Sequence, residues 1–174
     1  MIILDTIQEE EIENKATSIV QMLIKRKETI ATMESCTGGA LASEITNIRG
    51  ASEILKESYI TYCNEAKIRL GVSKDIIDTY SVYSKETAIE MAKHASIQAH
   101  ANWGIGITGQ LGRIDPANPG TSDNTIYYAV TYHGEVVDVC QFVITKEHTR
   151  KEKKQLVIQE ILKRIETKMQ SVNT

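Results

Sequence analysis

Two short stretches of the sequence hold side chains that could perform nucleophilic chemistry. Ser35 and Cys36 lie in ESCTGG, between an apolar run and a helical pattern. Tyr62 and Lys67 lie in TYCNEAK, where a predicted strand gives way to a short helix. If both strands end at the same edge of a sheet, the serine, the tyrosine and the lysine could converge. Serine hydrolases that have no catalytic histidine can use a lysine as the general base.

A lysine base has to be neutral, and this requirement constrains Lys67. At the ordinary pKa of about 10.4, only ~0.04% of lysine side chains are neutral at pH 7. Lowering the pKa to about 7.5 makes roughly a quarter of them neutral and costs about 4 kcal/mol of differential solvation, which burial can supply. The alternative is a solvated Lys67 on a short amphipathic helix, which is the usual environment of a lysine.

The residues that follow Ser35 mark the junction between a strand and a helix. The backbone N–H groups of Cys36, Thr37, Gly38 and Gly39 would point outward from the new helix, where they could hold an oxyanion or a phosphate. The same pattern fits a simple helix cap, in which Ser35 or Thr37 caps the helix and the two glycines permit the turn. The stretch matches neither a phosphate-binding loop nor a nucleophile elbow.

A basic segment, HTRKEKK, begins at His148 and carries five basic side chains at the start of the last predicted helix. Cations at a helix N-terminus oppose the helix dipole, so the stability of the helix does not account for them. An anionic partner would account for them. The alternative is a solvated run of charges that Glu147 and Glu152 partly balance. The four histidines form no visible catalytic triad, and we expect all four to have surface roles.

These motifs are positioned by a predicted alternation of helices and strands. The predicted strands are ETIATM, SYITYC, NWGIGITG, TIYYAVTYH and VVDVCQFVI, and the last two form a hairpin. The glycines of NWGIGITG would let another element or a ligand approach closely. Helical periodicity occurs before, between and after the strands. The pattern predicts an α/β fold, a three-layer α/β/α sandwich with a mixed sheet.

Capping residues indicate where the predicted helices begin. Thr6 and Glu9 have capping-box spacing for the first helix, and Asn64 caps the short helix EAKIRL. Ser84 caps a longer helix that runs to about His100. The fifteen residues QLGRIDPANPGTSDN contain both prolines and no periodic pattern. Loops of this length within compact domains are usually functional or disordered.

Composition limits the class of protein. A chain of 174 residues, 41% apolar and 25% charged, predicts one globular domain over residues 1–174. The net charge of −3 gives no electrostatic case for nucleic acid. No apolar run approaches the ~20 residues that span a bilayer, and the acidic start does not resemble a signal peptide. Three cysteines without metal-ligand spacing predict neither a metal site nor a disulfide framework. We expect a reduced, cytoplasmic protein.

The blocks ESCTGG, GAS, TYCNEAKIRLGV, GITG and HTR follow one another in an order and spacing that resemble a known family. This is the C-terminal domain family of the competence/damage-inducible protein CinA, and the resemblance covers nearly the whole chain after the first helix. It implies an amidohydrolase that deamidates nicotinamide mononucleotide and needs no cofactor. The expected partners are a small-molecule pyridine nucleotide and further copies of the chain, in a homo-oligomer of two or more.

The resemblance also assigns roles to individual residues. It implies that Ser35 is the nucleophile, Lys67 its base and Tyr62 a neighbouring catalytic residue. Thr108 and Arg150 match family positions that line the nucleotide site. Together with Gly109 and the junction residues Cys36, Thr37, Gly38 and Gly39, they are the predicted substrate-binding residues.

The loop of residues 109–125 departs from the pattern usual in the family, which leaves two function classes open. The retained Ser35, Tyr62 and Lys67 favour an amidohydrolase acting on nicotinamide mononucleotide or a related amide. The altered loop favours a non-catalytic module of the same fold that binds a nucleotide or another protein.

Overall fold

Six strands form one mixed sheet in the computed structural model, which describes residues 2–112 and 123–172. The strands are β1 (Ile2–Ile3), β2 (Ile30–Glu34), β3 (Leu55–Ile60), β4 (Trp103–Gly109), β5 (Thr125–Tyr132) and β6 (Glu135–Val143). Their spatial order is β1-β6-β5-β4-β2-β3. β2 pairs in parallel with both β3 and β4, whereas β5 pairs antiparallel with β4 and with β6.

Helices cover both faces of this sheet. In the described residues they are α1 (Glu9–Arg26), α2 (Ala40–Thr46), α3 (Ala51–Ile54), α4 (Asn64–Arg69), α5 (Lys74–Tyr80), α6 (Lys85–Ala99) and α7 (Arg150–Ser171). α1 packs against α7 over one face, and α6 packs against β4, β5 and β2 on the other. The predicted three-layer α/β/α sandwich with a mixed sheet is confirmed. No helix in the described ranges has the length and apolar character needed to span a membrane.

Each face of the sheet has its own core because strand residues alternate between the two faces. Ile30 and Ile105 belong to the cluster formed with α1 and α7. Ala31 and Met33 belong to the cluster formed with α5 and α6. All five residues of β2 are buried, so its backbone lies in the interior until the strand ends.

The glycines of β4 allow α6 to lie directly on the sheet. A Cβ atom at Gly106 would lie 2.1 Å from the carbonyl oxygen of Ala88, and one at Gly104 would lie 2.1 Å from that of Ala92. The close approach predicted from NWGIGITG is therefore made by a helix backbone.

The cap predicted for α1 is wrong. The helix begins after Gln8, which makes no side-chain capping hydrogen bond. Instead, the side chain of Gln159 in α7 accepts from the backbone N–H of Gln8 at 2.7 Å and donates to the carbonyl of Thr6 at 3.3 Å. A contact between two helices thus replaces the local capping box that Thr6 and Glu9 would have formed.

The other two predicted caps had different outcomes. Ser84 caps α6, since its hydroxyl accepts from the N–H of Thr87 at 3.1 Å, and this prediction is confirmed. Asn64 is the first residue of α4, and the N-cap is Cys63, which has extended backbone angles. The chain leaves β3 extended because the N–H of Thr61 still donates to the carbonyl of Glu34.

Two elements were not predicted. β1 has only two residues and pairs with β6, and the seven-residue helix α5 lies between Val72 and α6. Of the loop predicted over residues 109–125, residues 113–122 lie outside the described ranges.

We expect Gly106→Ala to reduce the free energy of unfolding by about 3 kcal/mol, because its methyl group would meet the backbone of α6. Gly134→Ala is the matched control. A Cβ atom at Gly134 meets no heavy atom within 4 Å, so only its positive φ of 84° is unfavourable, by about 1 kcal/mol. Denaturant titration of both variants measures the difference. Equal losses would contradict direct contact between β4 and α6.

Candidate active site

Ser35 lies immediately after β2, at its carboxyl end. Its N–H donates to the carbonyl of Ile107 in β4 at 2.9 Å, which continues the parallel pairing by one residue. The chain then turns, with positive φ angles of 61° at Gly38 and 91° at Gly39, before α2 begins. The turn places Ser35 where open α/β sheets commonly bind ligands, at the carboxyl ends of the strands.

Glu34 places its carboxylate at the start of α2. It accepts from the Thr37 hydroxyl at 2.6 Å and from the backbone N–H groups of Gly39 at 3.1 Å, Leu41 at 3.2 Å and Ala42 at 3.0 Å. Gly39 is the N-cap of α2, and no side chain caps it in the usual manner. The simple interpretation that Ser35 or Thr37 caps this helix is therefore wrong.

The Glu34 carboxylate also limits which amides a ligand could use. The N–H of Gly39 donates to Glu34, and that of Gly38 donates to the carbonyl of Ser35 at 3.0 Å. The N–H groups of Cys36 and Thr37 have no acceptor within the described ranges. Of these two residues only Cys36 lines the cavity described below, since Thr37 is fully buried, so the Cys36 amide is the one available to a ligand.

Lys67 extends from α4 to the same place. Its side chain is 1% exposed, and its Nζ donates to Ser35 Oγ at 3.1 Å and to the carbonyl oxygen of Thr61 at 2.7 Å. No acidic side chain in the described part of the chain forms an ion pair with it. The interpretation of Lys67 as a solvated surface residue is wrong.

Burial lowers the pKa of Lys67 from 10.5 to about 8, because the charged amine is poorly solvated there. The neighbouring Cys36, Cys63 and Glu65 oppose this change and raise the pKa only partly. About a tenth of the amines are therefore neutral at pH 7, compared with roughly one in 3,000 for a solvated lysine. Lys67 can accept a proton from the hydroxyl that it contacts.

Burial has the opposite consequence for the thiol beside Ser35. It raises the pKa of Cys36 from 9.0 to about 12, with a further increase from the charge of Glu34. The thiol therefore stays protonated near neutral pH. Because the thiolate is the reactive form of cysteine, Cys36 is a poor nucleophile in this setting.

A cavity of about 320 Å³ opens at this edge of the sheet. It is lined by Ser35, Cys36, Tyr62, Tyr83, Gly109, Gln110, Leu111, Gly112 and Arg150. Five of these residues were predicted as site residues. The other predicted residues are placed differently. Thr37, Gly38, Gly39 and Thr108 do not line the cavity, and the buried Thr108 hydroxyl donates to the carbonyl of Val82 at 2.9 Å.

Tyr62 contacts Arg150 rather than the serine and the lysine. Its phenol oxygen accepts from Arg150 Nη2 at 2.8 Å, while Arg150 Nη1 donates to the carbonyl of Leu111 at 2.7 Å. Tyr62 is 63% exposed, and no hydrogen bond joins it to Ser35 or Lys67 in the described ranges. Within the cavity, Tyr62 is therefore a hydrogen-bond partner of Arg150 and not of the serine–lysine pair.

The basic segment has a structural role that the sequence did not indicate. Arg150 donates to the carbonyl of Leu111, and Lys153 Nζ donates to Asn124 Oδ1 at 2.7 Å. Leu111 and Asn124 lie on either side of residues 113–122. Two of the five basic side chains thus hold the described ends of this loop to the start of α7.

Several residues of this site were missed by sequence reasoning. Glu34 was not among the predicted site residues, and the carbonyl of Thr61 carries no sequence signal. The cavity residues Tyr83, Gln110, Leu111 and Gly112 lie outside the recognised motifs. Glu34 could have been found from the threonine three residues after it, because that spacing lets a strand-end carboxylate reach the following turn. No group of three potential metal ligands occurs in the described residues.

The fold and the site together define a class of protein: an α/β sandwich with a buried serine–lysine pair at the carboxyl edge of its sheet. A family model described as the CinA C-terminal domain matches residues 12–169. The chain therefore belongs to the CinA C-terminal domain family.

Known relatives agree with this assignment. A protein from Clostridium acetobutylicum, provisionally named a competence-damage inducible protein, is 50% identical over 92 residues, which are 52% of this chain and 22% of that protein. The matched part is thus only about a fifth of that relative's length. A competence-damaged protein (CinA) superfamily structure from Escherichia coli has 27% identity and a TM-score of 0.81, covering 93% of both chains. A competence/damage inducible protein structure from Agrobacterium tumefaciens has 26% identity and a TM-score of 0.79, covering 89% of this chain and 93% of that one.

We expect the burial of Lys67 to be measurable as a dependence of stability on pH. Because its pKa falls from 10.5 to about 8 on folding, the unfolded chain binds more protons between these pH values, and stability rises with pH across that window. Relative to Lys67→Met, the wild-type free energy of unfolding should increase by about 2 kcal/mol between pH 7 and pH 9.5. Denaturant titration at both pH values provides the measurement. A difference that does not change with pH would show that Lys67 titrates like a solvated lysine.

Proposed function

We propose that the chain is an amidohydrolase that converts nicotinamide mononucleotide and water into nicotinate mononucleotide and ammonia. The observation that carries the proposal is the 3.1 Å contact between Lys67 Nζ and Ser35 Oγ, both buried beside a cavity. The identity of the amide comes from membership of the CinA C-terminal domain family, to which the known deamidation belongs.

The first half of the reaction acylates Ser35. Neutral Lys67 accepts the hydroxyl proton while Ser35 Oγ bonds to the amide carbon. The carbonyl oxygen becomes an oxyanion, which the N–H group of Cys36 stabilises. The carbon–nitrogen bond then breaks, and the leaving nitrogen takes the proton from Lys67 and departs as ammonia.

The second half releases the acid. Lys67 is neutral again and accepts a proton from water, whose oxygen attacks the ester carbon. The bond between that carbon and Ser35 Oγ breaks, and Lys67 returns the proton to Ser35. The carbonyl of Thr61, 2.7 Å from Lys67 Nζ, holds the amine in position through both halves.

Arg150 is the group that recognises the phosphate of the nucleotide. Its two hydrogen bonds go to uncharged oxygens, and no carboxylate forms an ion pair with it within the described ranges. Its positive charge is therefore available to an anion in the cavity that it lines. The Tyr62 phenol oxygen accepts a hydrogen bond from the same guanidinium and helps to hold it in position. The amide of Cys36 serves the oxyanion instead of the phosphate.

We expect Ser35→Ala to abolish release of ammonia from nicotinamide mononucleotide, with a melting temperature close to that of the wild type. The hydroxyl contributes one buried contact, whereas hydrolysis requires it as the nucleophile. Ser43→Ala, on the exposed side of α2, is the control and should retain activity. Glutamine and nicotinamide serve as control amides in the same assay. Normal turnover by the Ser35 variant would contradict the mechanism, and an inactive wild type would favour a non-catalytic module.

We expect Arg150→Ala to weaken binding of nicotinamide mononucleotide by roughly 10- to 150-fold, the loss of one charge-assisted contact of about 1.5–3 kcal/mol. Binding of the dephosphorylated riboside should change little. Calorimetry in a Ser35→Ala background measures both affinities without turnover. Lys151→Ala removes a charge from the same turn of α7 and serves as the control, since Lys151 does not line the cavity. If the Ser35→Ala protein with Arg150 intact bound the mononucleotide and the riboside with equal affinity, a phosphate site would be excluded.

A further inference from the structure

Glu34 has an unusual environment for a buried carboxylate. It is 1% exposed and accepts five hydrogen bonds within the described ranges, from two hydroxyls and three backbone N–H groups. No lysine, arginine or histidine forms an ion pair with it there. The carboxylate is stabilised by dipoles alone, as hydrogen-bonded buried anions can be.

The donors come from three places: β2, the turn that follows it and the first residues of α2. Thr32 lies on β2 itself and donates to Oε1 at 3.3 Å. Thr37 and Gly39 belong to the turn and donate to Oε2. The chain leaves β2 at Ser35. Two residues of the following turn, Thr37 and Gly39, then donate hydrogen bonds to Glu34 at the end of that strand. The same turn carries Ser35 and the amide of Cys36.

We propose that Glu34 is the positioning residue of the site: its carboxylate holds the turn of residues 35–39 so that Ser35 Oγ stays in contact with Lys67 and the N–H group of Cys36 stays available to an oxyanion. This inference rests on the proposed hydrolytic function. Glu34 does not line the cavity and touches neither substrate nor reacting atoms.

The contacts distinguish this role from that of a counter-ion. Lys67 has its own acceptors, Ser35 Oγ and the carbonyl of Thr61, and makes no hydrogen bond to Glu34. The oxygens of Glu34 are occupied by the turn and by α2. Glu34 therefore acts on the position of Ser35 rather than on the protonation of Lys67.

Two threonines provide a matched pair of variants. Thr32 and Thr37 are both fully buried, and each donates its hydroxyl to Glu34. Valine has the shape of threonine without the hydroxyl. Thr37→Val removes one of the two hydrogen bonds between the turn and the carboxylate and leaves that of Gly39, whereas Thr32→Val removes a contact within the strand and leaves both. Both variants lose a buried hydrogen bond to Glu34, and Thr32→Val also loses the 2.7 Å contact with the Ser58 hydroxyl. Thr32→Val therefore controls for any loss of stability.

The readout is the rate at which a fluorophosphonate probe labels Ser35, followed by mass spectrometry. In this reaction the bond between Ser35 Oγ and phosphorus forms, fluoride leaves, and the hydroxyl proton passes to Lys67. The rate reports the position and activation of the nucleophile and does not depend on the identity of the natural amide. We expect Thr37→Val to slow labelling roughly 10- to 100-fold, the usual effect of a displaced catalytic group, and Thr32→Val to leave it unchanged.

Glu34→Gln and steady-state kinetics complete the test. With nicotinamide mononucleotide as substrate, Glu34→Gln and Thr37→Val should lower kcat while leaving KM and the pH midpoint of kcat/KM as in the wild type. If both threonine variants had equally lowered melting temperatures but labelled at the normal rate, Glu34 would have only a structural role. A shift in the pH midpoint of kcat/KM in Glu34→Gln would instead show that Glu34 acts as a counter-ion of Lys67.

Failure of the proposed function gives a different result. A wild type that is labelled at Ser35 but does not hydrolyse nicotinamide mononucleotide refutes that substrate, and the labelling rates of the variants still decide the role of Glu34. A wild type labelled no faster than Lys67→Met at Ser35 would overturn the inference, because there would be no activated serine to position.

Discussion

The contact between Lys67 Nζ and Ser35 Oγ is the interaction on which the rest of the site depends. It requires a buried amine, and burial disfavours the protonated, charged form of that amine. Lowering the pKa of Lys67 from 10.5 to about 8 corresponds to roughly 3 kcal/mol against folding at neutral pH. An isolated short helix could not hold such a residue. The two apolar cores on either side of the sheet supply the stability that offsets this cost.

The register of three parallel strands determines the geometry of this contact. β2 lies between β3 and β4, and the parallel pairing continues one residue beyond the strand ends. The N–H of Ser35, just after β2, donates to Ile107 of β4, and that of Thr61, just after β3, donates to Glu34. The same ladder thus holds the nucleophile and the carbonyl that orients Lys67. A shift of register by one residue would turn each strand's side chains to the opposite face and separate the pair.

Much of this arrangement could be predicted from the sequence because it follows from strand direction. Parallel strands end at one edge, so a serine and a lysine that each follow a strand meet there. The direction of the Tyr62 side chain and the path of the Glu34 carboxylate could not be predicted, since both depend on turn geometry. The capping box of Thr6 failed for a related reason: a contact with Gln159, distant in sequence, outweighed a local preference.

Glu34 and Lys67 are both buried near Ser35, and they would be expected to form an ion pair. Such a pair would stabilise the protonated amine and raise the pKa of Lys67, which would remove the base. The fold prevents this by giving each group separate partners. The carboxylate is satisfied by hydroxyls and amides of its own strand, the turn and α2, while the amine is satisfied by a hydroxyl and a carbonyl. The positive φ angles at Gly38 and Gly39 bring the start of α2 back to the carboxylate, so the two glycines of the motif help to keep Lys67 unpaired with an acid and able to accept a proton.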